Sequence, residues 1–334
     1  MVKILEVLPP ASVIGGEIHI RWSGESQGFA RPEVVFKQSR GHLISVSPDL
    51  IVVQVPEDAS SSDLWISLNG QQSNKVPCEI ATLFAANLHP VANPALDLEG
   101  NLYTTLSGRR GEKVTHSIFK IDPAGRVQPF VSDLMNPTGI AFNSLGEMFV
   151  SSRHDGSIYK ISSYGEKSIY AKGMGVATGI AFDHDDNLYV GDRTGTIFKI
   201  DPKREIFVFA TIEPSVSAYH LAFDEEQNLF VAGPTTSSCD HVYRITSDGN
   251  VSTYFSGLGR PQGLAFDAEG GLYVAASLGG RRGIVRIARN RSASLAVAGS
   301  TLVGLAFGYH RDLYLASTNS AFKLNFGVVG KPLP

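Results

Sequence analysis

The stretch Gly263-Leu264-Ala265-Phe266-Asp267-Ala268-Glu269-Gly270-Gly271-Leu272-Tyr273-Val274 carries the fold. It alternates small and apolar residues, turns tightly at Asp-Ala-Glu-Gly-Gly, and leaves on a second apolar run, which is the pattern of a β-hairpin. Its first half recurs as Gly139-Ile140-Ala141-Phe142, Gly179-Ile180-Ala181-Phe182, His220-Leu221-Ala222-Phe223 and Gly304-Leu305-Ala306-Phe307. Ala95-Leu96-Asp97-Leu98 reads as a degenerate first copy. Each hairpin leads to a third strand such as Ile118-Phe119-Lys120-Ile121, and to a fourth such as Ser168-Ile169-Tyr170-Ala171. The unit is about 40 to 46 residues long, a period that marks propellers and solenoids. A four-stranded blade has two apolar faces and can bury neither alone, so blades stack on one another. Gly and Ala at alternate anchor positions fit innermost strands crowded around an axis.

Six anchors predict six blades, but the last copy ends at Phe322-Lys323-Leu324-Asn325-Phe326, one strand short. The missing strand stands at the front: Thr82-Leu83-Phe84-Ala85-Ala86-Asn87-Leu88 matches Gln128-Pro129-Phe130-Val131-Ser132-Asp133-Leu134 in pattern. An N-terminal strand added to the last blade would close the ring and remove its free edges. The expected fold is therefore all-β, with a boundary near residues 77 to 80 that separates a unit 1–79 from a six-bladed β-propeller 80–334.

Residues 4 to 80 show β-sandwich spacing. Ile18, Ile20 and Trp22 alternate with His19 and Arg21, and further strands appear at Val34-Val35-Phe36, Ile51 to Val55 and Leu64 to Leu68. The order of motifs resembles the IPT/TIG immunoglobulin-like modules: Ile4 to Pro10, then Gly15-Gly16-Glu17-Ile18, then Val34-Val35-Phe36, then Ile51 to Pro56. That resemblance implies a spacer or interaction module. The repeat resembles the NHL and gluconolactonase-like six-bladed propellers.

Composition narrows the function classes. A formal net charge of −3 gives no overall basic excess for nucleic acid, and no aromatic platforms flank the arginines. No apolar run is long enough to span a bilayer. The start, Met1 to Glu6, lacks a signal-peptide core, so the expectation is a cytoplasmic protein, or an exported one whose leader is absent from this chain. Two cysteines, Cys78 and Cys239, make no disulfide framework.

Candidate site residues fall at the axial mouth and on one rim. The turns joining first and second strands carry acids such as Glu147, Asp183, Asp185, Asp224 and Asp267. The opposite rim carries Arg109, Arg110, Lys113, Arg153, Arg193, Arg260, Arg281 and Arg282, which would attract an anion. Asp183-x-Asp185-x-Asn187 imitates a calcium loop without its glycine or distal glutamate and reads as a turn. His220 replaces the small residue of the other anchors, and Asp192 is the one carboxylate ending a second strand. The residue column at the mouth reads Pro94, Thr138, Thr178, Tyr219, Gln262 and Val303.

The resemblance to gluconolactonases implies a central calcium or zinc held by carboxylate and amide oxygens, but this column contains no carboxylate. Streptogramin-type lyases, a second enzymatic resemblance, imply a histidine–glutamate cluster, for which only His220 is placed. The leading expectation is a non-catalytic propeller, with no metal, that binds a small polar or anionic ligand, a protein or a glycan. Its candidate residues are His220, Tyr219, Gln262, Thr138, Thr178, Asp192, Arg193, Arg153, Arg281 and Arg282. The alternative is a gluconolactonase-like lactone or ester hydrolase, with a calcium or zinc ion recruited by Asp192, Asp240, His241 or His220.

Overall fold

The computed structural model describes residues 1–24, 31–106, 114–237 and 239–334. The chain is all-β: strands and turns, with no helix among the described residues. From residue 95 onward the strands come in antiparallel groups of four, an arrangement consistent with a β-propeller. The first three groups, 95–132, 137–171 and 177–211, are separate sheets in chain order. The next two, 220–259 and 264–298, are joined where Leu258 and Gly259 pair with Leu278 and Ser277. The last sheet has the strands Leu302–Phe307, Asp312–Ser317 and Ser320–Asn325, and on its outer side the strand Thr82–Ala86. That outer strand runs antiparallel to Ser320–Asn325, with Thr82 opposite Lys323 and Ala86 opposite Ser320.

One Asp or Asn side chain caps the hairpin turn of each repeat but the last. Asp183 accepts the amides of Asp185 and Asn187, the Asn187 side chain and the Tyr189 hydroxyl. Asp97 does the same for Glu99, Asn101 and Tyr103, and Asp224 and Asp267 serve the same turn in their blades. These are Asx turns, so the calcium-loop imitation is a hairpin cap. Counting back four residues from Asp97 puts Asn93, not Ala95, level with Gly139, Gly179, His220, Gly263 and Gly304. The sequence column is thus two residues out of step in the first blade, where Ala92 replaces Pro94. The slip arose because Leu98 mimics an anchor residue, although it is 65% exposed.

Aromatic pairs lock blade to blade. Tyr103 meets Phe142, Phe149 meets Phe182, Tyr189 meets Phe223, Phe230 meets Phe266 and Tyr273 meets Phe307, all edge to face. Each pair contributes about 0.5–1.5 kcal/mol beyond its buried area. At the remaining junction Tyr314 packs with Leu96 in one apolar cluster. Within blades a second set links the outer strand to the second: Phe130 on Tyr103, Tyr170 on Phe149, and Phe84 of the added strand on Tyr314. The Lys of the Ile-Phe-Lys-Ile motif lies over the same second-strand ring, as Lys120 over Tyr103 and Lys199 over Tyr189.

Residues 3–80 form two further sheets. One has the order Lys3–Leu8, Glu17–Ser23, Leu50–Gln54, His42–Val46. The other pairs Val76–Ile80 with Ser62–Leu68, and Ser62–Leu68 with Glu33–Phe36. Ile18, Ile20, Trp22, Phe36, Ile51, Leu64 and Ile66 close one core between them. Sequence pattern does not foretell how these sheets meet the repeats. Ala11 and Ser12 pair in parallel with Val297 and Ala298, the outer strand of residues 264–298. Val13 N donates to the Ala298 carbonyl at 2.9 Å. Ala11, Val13 and Ala81 share an apolar cluster with Ala275, Ile284 and Val297, so the seam is a continuous sheet with a core beneath it. Both cysteines are free: Cys78 is buried and its thiol is pushed up to about 12, while Cys239 is exposed.

Candidate functional site

The innermost strands begin at an upper mouth and end at a lower one. At the upper end they approach backbone to backbone. A Cβ on Gly139 would lie 2.7 Å from the Thr178 carbonyl, and one on Gly179 would lie 2.3 Å from that of Tyr219. Asn93 fills the same level from the first blade: its amide donates to the Leu264 carbonyl at 2.8 Å and accepts from Leu305 N at 3.1 Å. The axis is therefore pinched at its upper end.

This closeness uses up most of the candidate mouth residues. Thr178 Oγ1 donates to the Gly191 carbonyl at 2.8 Å and accepts Tyr219 N at 3.1 Å. The Thr138 carbonyl accepts Thr105 Oγ1 at 3.2 Å, and its side chain is buried. The Tyr219 ring lies in the core between blades with Leu221 and Val231, its hydroxyl donating to the Glu213 carbonyl. Asp192 caps a turn, taking Val176 N at 2.8 Å, Thr194 N and the Thr194 hydroxyl. Gln262 accepts from the Arg282 guanidinium, which also donates to the carbonyls of Arg260 at 2.8 Å and Leu302 at 2.9 Å. Arg282 is thus a strut between strands, and burial followed by the charge of Arg260 lowers its pKa.

His220 stands apart. It is 4% exposed, its imidazole makes no hydrogen bond with the described residues, and burial lowers its pKa to about 4, which keeps it neutral at pH 7. Arg153 and Arg193 are exposed near one another on the same rim; burial first, and then the charge of Arg193, lower the Arg153 pKa. Arg193 donates to the Ser215 carbonyl at 3.2 Å. Arg193, Arg260 and Arg281 enter no ion pair with the described residues. Arg109, Arg110 and Lys113 lie outside the described residues.

The lower end is opposite in character. Several of its acids are engaged in turns and pairs: Glu147 with Lys160 at 2.6 Å, Glu225 with Arg289 at 3.1 Å, and the Asp caps above. Between the pinch and the lower mouth lies an axial cavity of ≈ 670 Å³. Residues 329–334 line it at the lower mouth, a feature that the repeat pattern does not foretell. The available signal was an apolar Val328-Val329 and Leu333 beyond the last strand, outside any repeat.

The groups a central metal would need do not converge. Asp240 is held by Thr235 and by Arg260 N at 3.0 Å, His241 bonds Ser256 at 3.0 Å, and Asp192 is tied to its turn. Among the described residues no three His, Cys, Asp or Glu side chains come together, so the residues present do not fit a calcium or zinc centre.

The fold defines a β-propeller. No protein-family model matches the chain, and no curated protein matches it. Solved structures do. A gluconolactonase from Xanthomonas campestris is 13% identical over 91% of this chain and 98% of its own, with a TM-score of 0.60. An auxiliary nutrient binding protein from Bacteroides thetaiotaomicron is 13% identical over 97% of both chains, at 0.55. A virginiamycin B lyase from Staphylococcus aureus, crystallised with quinupristin, is 16% identical over 88% and 99%, at 0.54. At such identities the likeness is one of fold.

Proposed function

We propose that the protein is a binding propeller that recognises a small anionic ligand, or an acidic glycan, on the upper rim. The observation carrying this reading is that the guanidinium groups of Arg193, Arg260 and Arg281 face the upper end without carboxylate partners among the described residues, whereas lower-rim acids such as Glu147 and Glu225 are ion-paired. Arginine forks suit carboxylate, sulfate or phosphate. The nutrient-binding likeness over the whole chain supports the same reading. Titration with polygalacturonate fragments and sulfated oligosaccharides tests it. Arg193→Glu should weaken binding at least tenfold at low salt, with unchanged melting, and affinity should fall as salt rises. If Arg193→Glu binds the panel as the parent does, the rim is only a solubilising surface. Arg282→Ala is the contrasting variant, because loss of its strut should cost about 1–3 kcal/mol.

The architecture within this reading is an IPT/TIG-like immunoglobulin module, residues 1–79, ahead of a six-bladed NHL-like propeller, residues 80–334. Thr82–Ala86 closes the ring in the last blade. The pairing of Thr82 with Lys323 and the packing of Phe84 on Tyr314 support that closure. A chain starting at residue 80 should fold, with a lowered Tm because Val297 and Ala298 lose Ala11 and Ser12. A chain starting at residue 91 should aggregate. Equal melting of the two truncations would remove the closing role.

A further inference from the structure

We propose that the axial cavity is a binding site for an uncharged, mainly apolar small molecule, and that residues 327–334 are a tethered plug closing its mouth. This goes beyond the rim reading and does not depend on it. Ala95, Ala141, Ala181, Ala222, Ala265 and Ala306 line the cavity, one from each repeat. Larger residues at all six positions would fill the axis, so the shared small side chain leaves ≈ 670 Å³, the size of a small-molecule site. Among the described residues, the close backbone approach at Gly139 and Gly179 narrows it above, so the lower mouth is the route in.

The plug is seated across that mouth by a few contacts. Ala268 N donates to the Val329 carbonyl at 2.8 Å, and Lys331 N donates to that of Phe266 at 3.0 Å. Lys331 Nζ donates to the carbonyls of Phe223 and Asp224 at 3.0 and 2.8 Å. Leu333 packs on the cluster of Tyr103, Ile140 and Phe142. The chemistry that the site already accepts is thus an apolar side chain brought in by an extended peptide. At its start Gly327 N donates to the Arg311 carbonyl at 3.0 Å, and beyond that Val329, Pro332 and Pro334 stay exposed. A segment with so few buried contacts opens at low cost.

Gly330 gives a way to release the plug in the full chain, because a Cβ there would lie 2.1 Å from the Phe307 Cβ. The probe is the neutral dye N-phenyl-1-naphthylamine, followed by fluorescence. Gly330→Val, and separately Lys331→Glu with Leu333→Asp, should speed exchange of the Ala268 and Lys331 amides and raise dye affinity at least tenfold. Adding Ala141→Phe, Ala222→Phe and Ala306→Phe together to either should abolish the gain, because three rings from alternate repeats crowd the axis. Parental affinity in both released variants would overturn the proposal. So would a gain that survives the three Ala→Phe changes, since the dye would then sit elsewhere.

Discussion

The two ends of the axis are built from the same repeats and differ in almost every physical respect. Above, glycine backbones touch, polar side chains are consumed in blade-to-blade hydrogen bonds, and arginines face outward. Below, two residues further along the same strands, alanines stand apart around an open cavity, and the carboxylates are engaged. The difference follows from divergence of the inner strands. Where they converge there is no space for Cβ atoms, and a hydroxyl such as Thr178 lies within reach of the neighbouring blade. Where they spread apart, the core between blades is filled by Phe142, Phe182, Phe223 and Phe266, and the axis is left unfilled. A candidate binding residue at the converging end is therefore more often a structural tie than a ligand contact.

Enlarging a small side chain at each end is the strongest test. Gly179→Val drives a side chain into the Tyr219 carbonyl and the His220 Cα, 2.3 and 3.0 Å from the new Cβ, and both obstacles are backbone. Its stability should fall by about 3 kcal/mol. Ala181→Val, on the same strand and facing the cavity, should change stability by less than about 1 kcal/mol. Urea unfolding of both variants gives the answer. Equal losses would mean that the axis is uniformly packed and that no cavity separates its two ends.

Much of this was legible in sequence. The Ile-Ala-Phe anchors and the Ile-Phe-Lys-Ile strands report periodic burial, and burial is what a repeat must conserve in pattern to stack. The pattern of Thr82 to Leu88 likewise foretold a strand that does pair with Ser320–Asn325. Three features escaped. The first-blade register slipped on Leu98, and Asn93, which holds the true anchor level, bonds to blades that its own hairpin does not contain. Arg282 looked like its neighbour Arg281, since nothing local in a sequence distinguishes a strut from a free cation. Residues 327–334 belong to no repeat, and their contacts with Phe223 and Phe266 span more than sixty positions, as the 108-residue separation of Lys331 and Phe223 illustrates.

The smallest expected effect concerns His220, and it resolves whether the pinched end is as dry as its geometry implies. Burial lowers the His220 pKa to about 4, whereas an unfolded histidine titrates near 6.5. Between those values the unfolded chain binds a proton that the folded chain refuses. Stability from this group is therefore complete above about pH 6.5, declines as pH falls towards 4, and changes no further below that. By pH 5 the loss amounts to about 2 kcal/mol. His220→Asn places there the residue that the first blade carries at the same level, and it cannot titrate. The parent should lose about 2 kcal/mol more than this variant between pH 7 and pH 5, measured as free energies of urea unfolding, because the remaining acids contribute equally to both. Parallel curves for the two proteins would mean that the imidazole takes up its proton in the folded state, and hence that water or an anion reaches it from the arginine rim.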